Sequence, residues 1–275
     1  MQNSYSLTTH QYDYGIDQLS YFDAGAGEKT ILLIHGFGED HCIWKHQIDF
    51  LASKYRVITP NLPGVQCKPL TLHHSHAPSI RMYVEVLHEL MHHLNIEHYY
   101  IAGHSMGGYI GLSFADYYIN HVQGLLLVHS TSYEDNEAKK ASRMKVAEFL
   151  EEWGVSKYLE TATPNLFSNE FKKNYPGVIQ DVIDSGSAIS KEAMIQFVFA
   201  MRNRKAFTYL LQQPSIPFWM LAGSEDLAVP IQDSLEQIKL LPSSNSLVLQ
   251  GVGHMGMLEA TDQVNQFIQK FIETA

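Results

Sequence analysis

Six short apolar runs, each bounded by turn residues, constrain this chain more than any other feature. They are ILLIH (31–35), RVIT (56–59), YYIAG (99–103), GLLLVH (124–129), PFWMLAG (217–223) and SLVLQG (246–251). Runs this short and this continuously apolar fit strands buried on both faces. Helical spacing fills most of the intervals between them, at 43–53, 80–94, 106–119, 231–241 and 257–272. Strands that alternate with helices build a parallel sheet covered on both sides, so the fold class is α/β. Upstream, YDYG and LSYFDAG alternate polar with apolar residues and are expected to form an antiparallel hairpin at the sheet edge.

The rhythm breaks once. From Ser132 to about Gln213 no buried strand is evident, while KVAEFLEEW and KEAMIQFVFAMRNR have helical spacing. This interval is expected to be a helical cap inserted after the sixth strand. It divides the chain into a first core part (1–131), the cap (132–213) and a second core part (214–275). A chain of 275 residues is long enough for one large domain that carries such an insertion. Caps of this kind exclude water and shape a substrate pocket.

Chemistry concentrates at strand ends. GHSMGG (103–108) contains G-x-S-x-G with Ser105 at its centre, after a strand and before a helix. A sharp turn at that point strains the serine backbone, and Gly103 and Gly107 let strand and helix approach closely enough to form it. The following helix also directs the positive end of its dipole at Ser105. A serine hydroxyl needs a base, itself oriented by a carboxylate. His254, in QGVGHMGMLE, and Asp226, in LAGSEDLAVP, each lie just beyond a buried strand, at the edge where open parallel sheets place their sites. Donors for a developing oxyanion are expected from the backbone NH of Met106 and of Phe37. In HGFGED, Gly36 and Gly38 leave Phe37 free to turn inward.

From HGFG through GHSMGG and GSEDLAVP to GHMGMLE, the chain resembles the α/β-hydrolase superfamily, specifically its capped serine esterase-like members. The resemblance implies a mostly parallel central sheet flanked by helices, with Ser105 as nucleophile, His254 as base and Asp226 as acid. It also implies oxyanion NH groups from Phe37 and Met106, and AMRNRKAFTYLLQQPSIP looks like the end of such a cap. One departure is NLPGVQCKP (61–69), where Asn61, Gln66 and Lys68 break the family's D-x-x-G-x-G-x-S pattern and put the local loop shape in question. The expected activity is hydrolysis of a small carboxylic ester through an acyl-enzyme. Carbon-carbon bond hydrolysis, enol-lactone hydrolysis and cofactor-free perhydrolysis use the same triad, and a ligand receptor without turnover is the alternative of another class. Arg202 and Arg204, near the cap end, are read as solvated rather than as a grip on an acidic substrate.

A competing motif is HELMHHLNIEH (88–98), which nearly spells a zinc protease with His88, Glu89, His92 and His98. Yet Ile80, Tyr83, Val84, Leu87, Leu90, Met91 and Leu94 form one apolar stripe through it, the profile of a helix packed on a sheet. Asn95 then fits a left-handed helix end. No metal and no cofactor is expected, and His73, His74 and His76 are read as solvated loop histidines. The balance of 19 basic against 29 acidic residues, a formal charge of -10, disfavours nucleic acid and anionic membranes as partners. Cys42 and Cys67 form no C-x-x-C pair. Neither a signal peptide nor a spanning apolar stretch is read in the sequence, so a cytoplasmic protein acting on a small molecule is expected, its oligomeric state open.

Overall fold

A computed structural model describes residues 8–15, 17–70 and 77–275. Among them, eight strands form one sheet: β1 (Thr9–Tyr14), β2 (Asp17–Ala24), β3 (Thr30–Ile34), β4 (Arg56–Pro60), β5 (Tyr99–His104), β6 (Val122–Val128), β7 (Phe218–Gly223) and β8 (Ser246–Leu249). Their order is β1-β2-β4-β3-β5-β6-β7-β8. β2 pairs antiparallel with β1 and β4, and every pair from β4 to β8 is parallel. β3, β5 and β7 are buried at every position, which is why they read as unbroken apolar runs. The edge strand β1 is largely exposed.

Sheet order reverses around β3. The chain moves from β3 outward to β4 and then returns to the other side of β3 as β5. A crevice opens at the carboxyl ends of strands that diverge in this way. The loop after β3 carries Gly36 to Glu39 and the turn after β5 carries Ser105, so both expected parts of the site begin there.

Helices α1 (Lys45–Leu51), α2 (Ile80–His93), α3 (Met106–Tyr117), α9 (Ile231–Ile238), α10 (Gly256–Glu259) and α11 (Thr261–Thr274) belong to the sheet segments. The expected helix 257–272 is two, because the backbone leaves helical geometry at Ala260. α2 buries Ile80, Tyr83, Val84, Leu87, Leu90 and Met91 and ends at Asn95 with φ 55°. HELMHHLNIEH is therefore the helix and turn that lead into β5. His88 lies on its flank, stacked on Tyr118 with ring centroids 3.8 Å apart. His73, His74 and His76 lie outside the described residues. Asn61, where the loop departs from the family pattern, is buried: it donates to Ser20 Oγ at 2.8 Å and accepts from the His41 NH at 2.8 Å. An aspartate could accept from His41 but could not donate to Ser20 when ionised.

Between β6 and β7 the chain is helical, with α4 (Glu137–Ala162), α5 (Asn169–Asn174), α6 (Pro176–Gly186), α7 (Lys191–Arg202) and α8 (Thr208–Gln212). α4 bends at Gly154, whose φ of 78° is left-handed. This layer is fastened to the loops below it. Gly186 packs against the loop after β3 so closely that a Cβ there would lie 2.2 Å from the Gly38 carbonyl oxygen. Ser185 Oγ donates to Asp40 Oδ2 at 2.5 Å, and the Leu166 carbonyl accepts from the His254 NH at 2.6 Å. Among the described residues, no helix is long and apolar enough to cross a membrane.

Candidate active site

Ser105 sits between β5 and α3 with φ 50° and ψ -113°, a conformation that a side chain rarely adopts. Its neighbours hold it there. The Ser105 NH donates to the Val128 carbonyl at 3.0 Å, and its own carbonyl accepts from Ser130 Oγ at 2.7 Å. A Cβ on Gly103 would lie 2.3 Å from the Gly107 carbonyl oxygen, and one on Gly107 would lie 2.2 Å from that of Ile34. Both obstacles are backbone, so Gly107→Ala must displace the end of β3. The expected cost is about 3–5 kcal/mol, read as a fall in Tm of roughly 10 °C by differential scanning fluorimetry.

Asp226 lies in the turn after β7, and its carboxylate is fully engaged. Oδ1 accepts from the NH groups of Ala228 (2.8 Å) and Val229 (2.9 Å). Oδ2 faces His254 Nδ1 at 2.7 Å and His129 Nδ1 at 3.3 Å. Burial opposes ionisation, but the His254 charge and the hydrogen bonds from His129 and His254 outweigh it and hold the carboxyl far below its usual range. With Nδ1 donating to Asp226, His254 keeps Nε2 for the cavity in front of it.

Behind His254 runs a buried polar chain that the sequence reading missed. The His254 carbonyl accepts from His104 Nε2 at 3.0 Å, and His104 Nδ1 donates to Glu39 Oε2 at 3.0 Å. The same Oε2 accepts from the Gly36 NH at 2.7 Å. Burial pushes the His104 pKa down, but Glu39 raises it above the usual value. Burial pushes Glu39 up, but His104 brings it below. The two therefore form an ion pair that links the loop after β3 to the backbone of His254. Nothing in local spacing marks such a contact, since 65 positions separate His104 from Glu39.

His129 is the other missed residue. It follows β6 with φ 47°, and its Nε2 is buried without a hydrogen-bond partner among the described residues. Among the described residues, His129, Asp226 and His254 form the one group able to surround a metal ion. Both Nδ1 atoms instead lie at hydrogen-bond distance from one carboxylate oxygen, which fits two N–H donors. Burial pushes His129 down to about 4, against the pull of Asp226. Its folded pKa is thus below its unfolded one, so between about pH 6.5 and 4 the unfolded chain takes a proton that the folded chain refuses. Stability falls as pH drops through that window, by up to about 3 kcal/mol from this group. His41, also pushed down to about 4 by burial, adds to the fall, while His104 acts in the opposite sense. Urea denaturation across this window is therefore expected to show a weaker pH dependence in His129→Gln than in wild type.

Four of the expected residues border one cavity of about 130 Å3. Ser105, His254, Phe37 and Gly38 all line it, and Ser105 and His254 share its wall without a direct hydrogen bond. Catalytic hydrogen bonds often tighten only when substrate is bound. Met106, buried beneath, is the first residue of α3, so its NH has no carbonyl one turn earlier in the helix. Among the described residues, the Phe37 NH has no hydrogen-bond partner either. Gly38 is left-handed at φ 75°, and a Cβ on Gly36 would lie 3.0 Å from both Glu39 and His104. From α4 come Lys139, Arg143, Tyr158 and Leu159. The reading of Arg204 as solvated is overturned: it is buried, paired with Asp135 at 2.8 Å and set 3.9 Å above the Tyr109 ring. Arg202 Nη1 donates to Asn203.

Comparison with known proteins agrees with this architecture. A family model described as alpha/beta hydrolase fold matches residues 29–261. The dihydrolipoyllysine-residue acetyltransferase component of the acetoin cleaving system of Pseudomonas putida is 26% identical over 268 residues, covering 92% of this chain and 66% of that protein. The chain therefore spans just under two thirds of that relative's length. A Yersinia enterocolitica protein named for carbamate hydrolysis, RutD, is 22% identical over 246 residues, covering 89% of this chain and 87% of its own. A thermophilic esterase from Thermogutta terrifontis superposes with a TM-score of 0.88 at 26% identity, covering 97% of this chain and 98% of that one.

Proposed function

This chain belongs to the alpha/beta hydrolase fold family, and from that premise we propose that it is a serine hydrolase cleaving a small carboxylic ester through an acyl-enzyme on Ser105. The observation that carries the reading is the 2.7 Å hydrogen bond between Asp226 and His254, set behind a cavity wall shared by His254 and the strained Ser105. Similarity to an esterase over nearly the whole chain supports the same reaction class.

The proposed steps follow from the proton inventory. His254 Nε2 takes the Ser105 proton as Oγ bonds to the ester carbonyl carbon, and the carbonyl electron pair moves onto its oxygen. The NH groups of Phe37 and Met106 hold that oxyanion, each worth about 3 kcal/mol of barrier. Collapse breaks the bond to the alcohol, which leaves with the proton from His254. Water then repeats the sequence on the acyl-enzyme, releasing the acid and restoring Ser105. Asp226 stays ionised throughout and supports the imidazolium.

The test is hydrolysis of p-nitrophenyl acetate and butyrate, followed by labelling with a fluorophosphonate and mass spectrometry of the labelled peptide. Turnover that survives a chelator, with the adduct on Ser105, supports the proposal. Turnover abolished by chelator with Ser105 unlabelled would overturn it.

A further inference from the structure

The cavity beside Ser105 carries two cations that ester cleavage itself does not use. Lys139 and Arg143 stand near the start of α4 and line the same cavity as Ser105 and His254. Arg143 Nε donates to Asp135 Oδ2 at 3.0 Å, and its side chain is only 16% exposed. Its two Nη groups have no partner among the described residues. Lys139 Nζ donates to the neutral carbonyl of Ala228 at 2.8 Å.

Nearby anions do not balance this charge: Asp226, the ionised carboxylate behind His254, offsets at most one of the two cations. Asp135 is shared, because its other oxygen pairs with Arg204 at 2.8 Å. Glu39, the acid on the cavity wall, is already matched by His104. Glu134 and Asp233 line a neighbouring, smaller cavity of about 60 Å3 that shares Lys139 with this one and is not lined by Ser105. The wall facing the serine is therefore net positive in a chain of formal charge -10. A guanidinium held by one nitrogen, with the rest of its planar fork unpaired in an enclosed space, is shaped to receive a carboxylate through two parallel hydrogen bonds. Tyr158, whose phenol burial keeps protonated, adds a neutral donor on the same wall.

We propose that Arg143, assisted by Lys139, binds a carboxylate of the substrate, so that the preferred substrate is a small ester bearing a free carboxylate. The proposal rests on the acyl-enzyme reading and adds the substrate class to it. Asp135 acts through Arg143 as a positioning residue, fixing the guanidinium plane from behind.

The test compares two anionic esters with their neutral methyl-ester counterparts: mono-p-nitrophenyl glutarate, with the charge on the acyl part, and 4-carboxyphenyl butyrate, with the charge on the alcohol part. Wild type is expected to favour at least one anionic ester by about 10- to 100-fold in kcat/KM, mostly through KM. Arg143→Gln is expected to reduce that preference by about 10- to 100-fold, and Arg143→Lys to restore part of it. Turnover of the neutral esters with no anionic preference, or with a preference unchanged in Arg143→Gln, overturns this inference and leaves the serine hydrolase reading intact. No turnover of any ester counts against that reading, and calorimetry then decides this one. Monomethyl glutarate is titrated into Ser105→Ala and into Ser105→Ala/Arg143→Gln. A dissociation constant weaker by about tenfold or more in the double variant supports the inference, and equal affinity overturns it.

Discussion

Replacing Ser105 with alanine is expected to lower kcat on p-nitrophenyl butyrate by about a hundred-thousand- to a million-fold, leaving only what oxyanion donors and binding supply. The size of the effect follows from the two-step path, since without Oγ no acyl-enzyme forms and water must attack directly. Alanine keeps the Cβ that makes φ 50° costly, so the strain at the turn is neither relieved nor increased. Tm is therefore expected to stay within about 2 °C of wild type, which separates loss of chemistry from loss of fold. A variant that keeps more than about 1% of wild-type activity would sink the acyl-enzyme assignment.

The second large effect is expected at Asp226. Asp226→Asn should reduce kcat by about ten-thousand-fold with KM little changed. The ionised carboxylate is an acceptor at both oxygens, and it takes four donors: two backbone NH groups on Oδ1 and two histidine Nδ1 atoms on Oδ2. An amide has one oxygen. Turned toward the loop, it presents NH2 to His254 and His129, and His254 must then place its proton on Nε2, where it cannot act as a base. Turned the other way, it leaves the Ala228 and Val229 NH groups against another donor. The first orientation costs activity and the second costs stability, so measuring kcat together with the urea midpoint tells them apart. Full activity in Asp226→Asn would remove Asp226 from the proposed triad.

Most of the fold is legible in the sequence because a strand buried on both faces leaves an unmistakable mark: ILLIH, YYIAG and PFWMLAG have no polar position to spare. Helix α2 is legible for a related reason, since its apolar stripe outweighs the zinc-like letters on its flank. What escapes is contact between distant segments. His129 closes an ordinary apolar run, and nothing nearby shows that it will share a carboxylate with a residue 97 positions later. Arg204 reads as solvated in the sequence because its partner, Asp135, and its platform, Tyr109, lie on other elements. Lys139 and Arg143 sit in a helix whose sequence is charged on most sides, so their facing inward toward Ser105 depends on how α4 is laid across the sheet. Even Gly186, one glycine among 18, takes its meaning from the Gly38 carbonyl.

Three of the fastenings of the helical layer bear on how this protein can change under selection. Gly186 against Gly38, Ser185 against Asp40 and Leu166 against His254 all use backbone or small polar groups, whereas the cavity wall uses the side chains of α4. Apart from Leu166, which belongs to both, these fastening residues and the lining residues are separate sets on one layer. Mutation can re-letter positions such as 143 and 158 without touching these three seams, so on the proposed reading a new taste in substrates is accessible by single steps, whereas position 139 also ties α4 to the Ala228 carbonyl. A change at 186, by contrast, would shift the loop that carries Phe37 and is felt by every substrate alike.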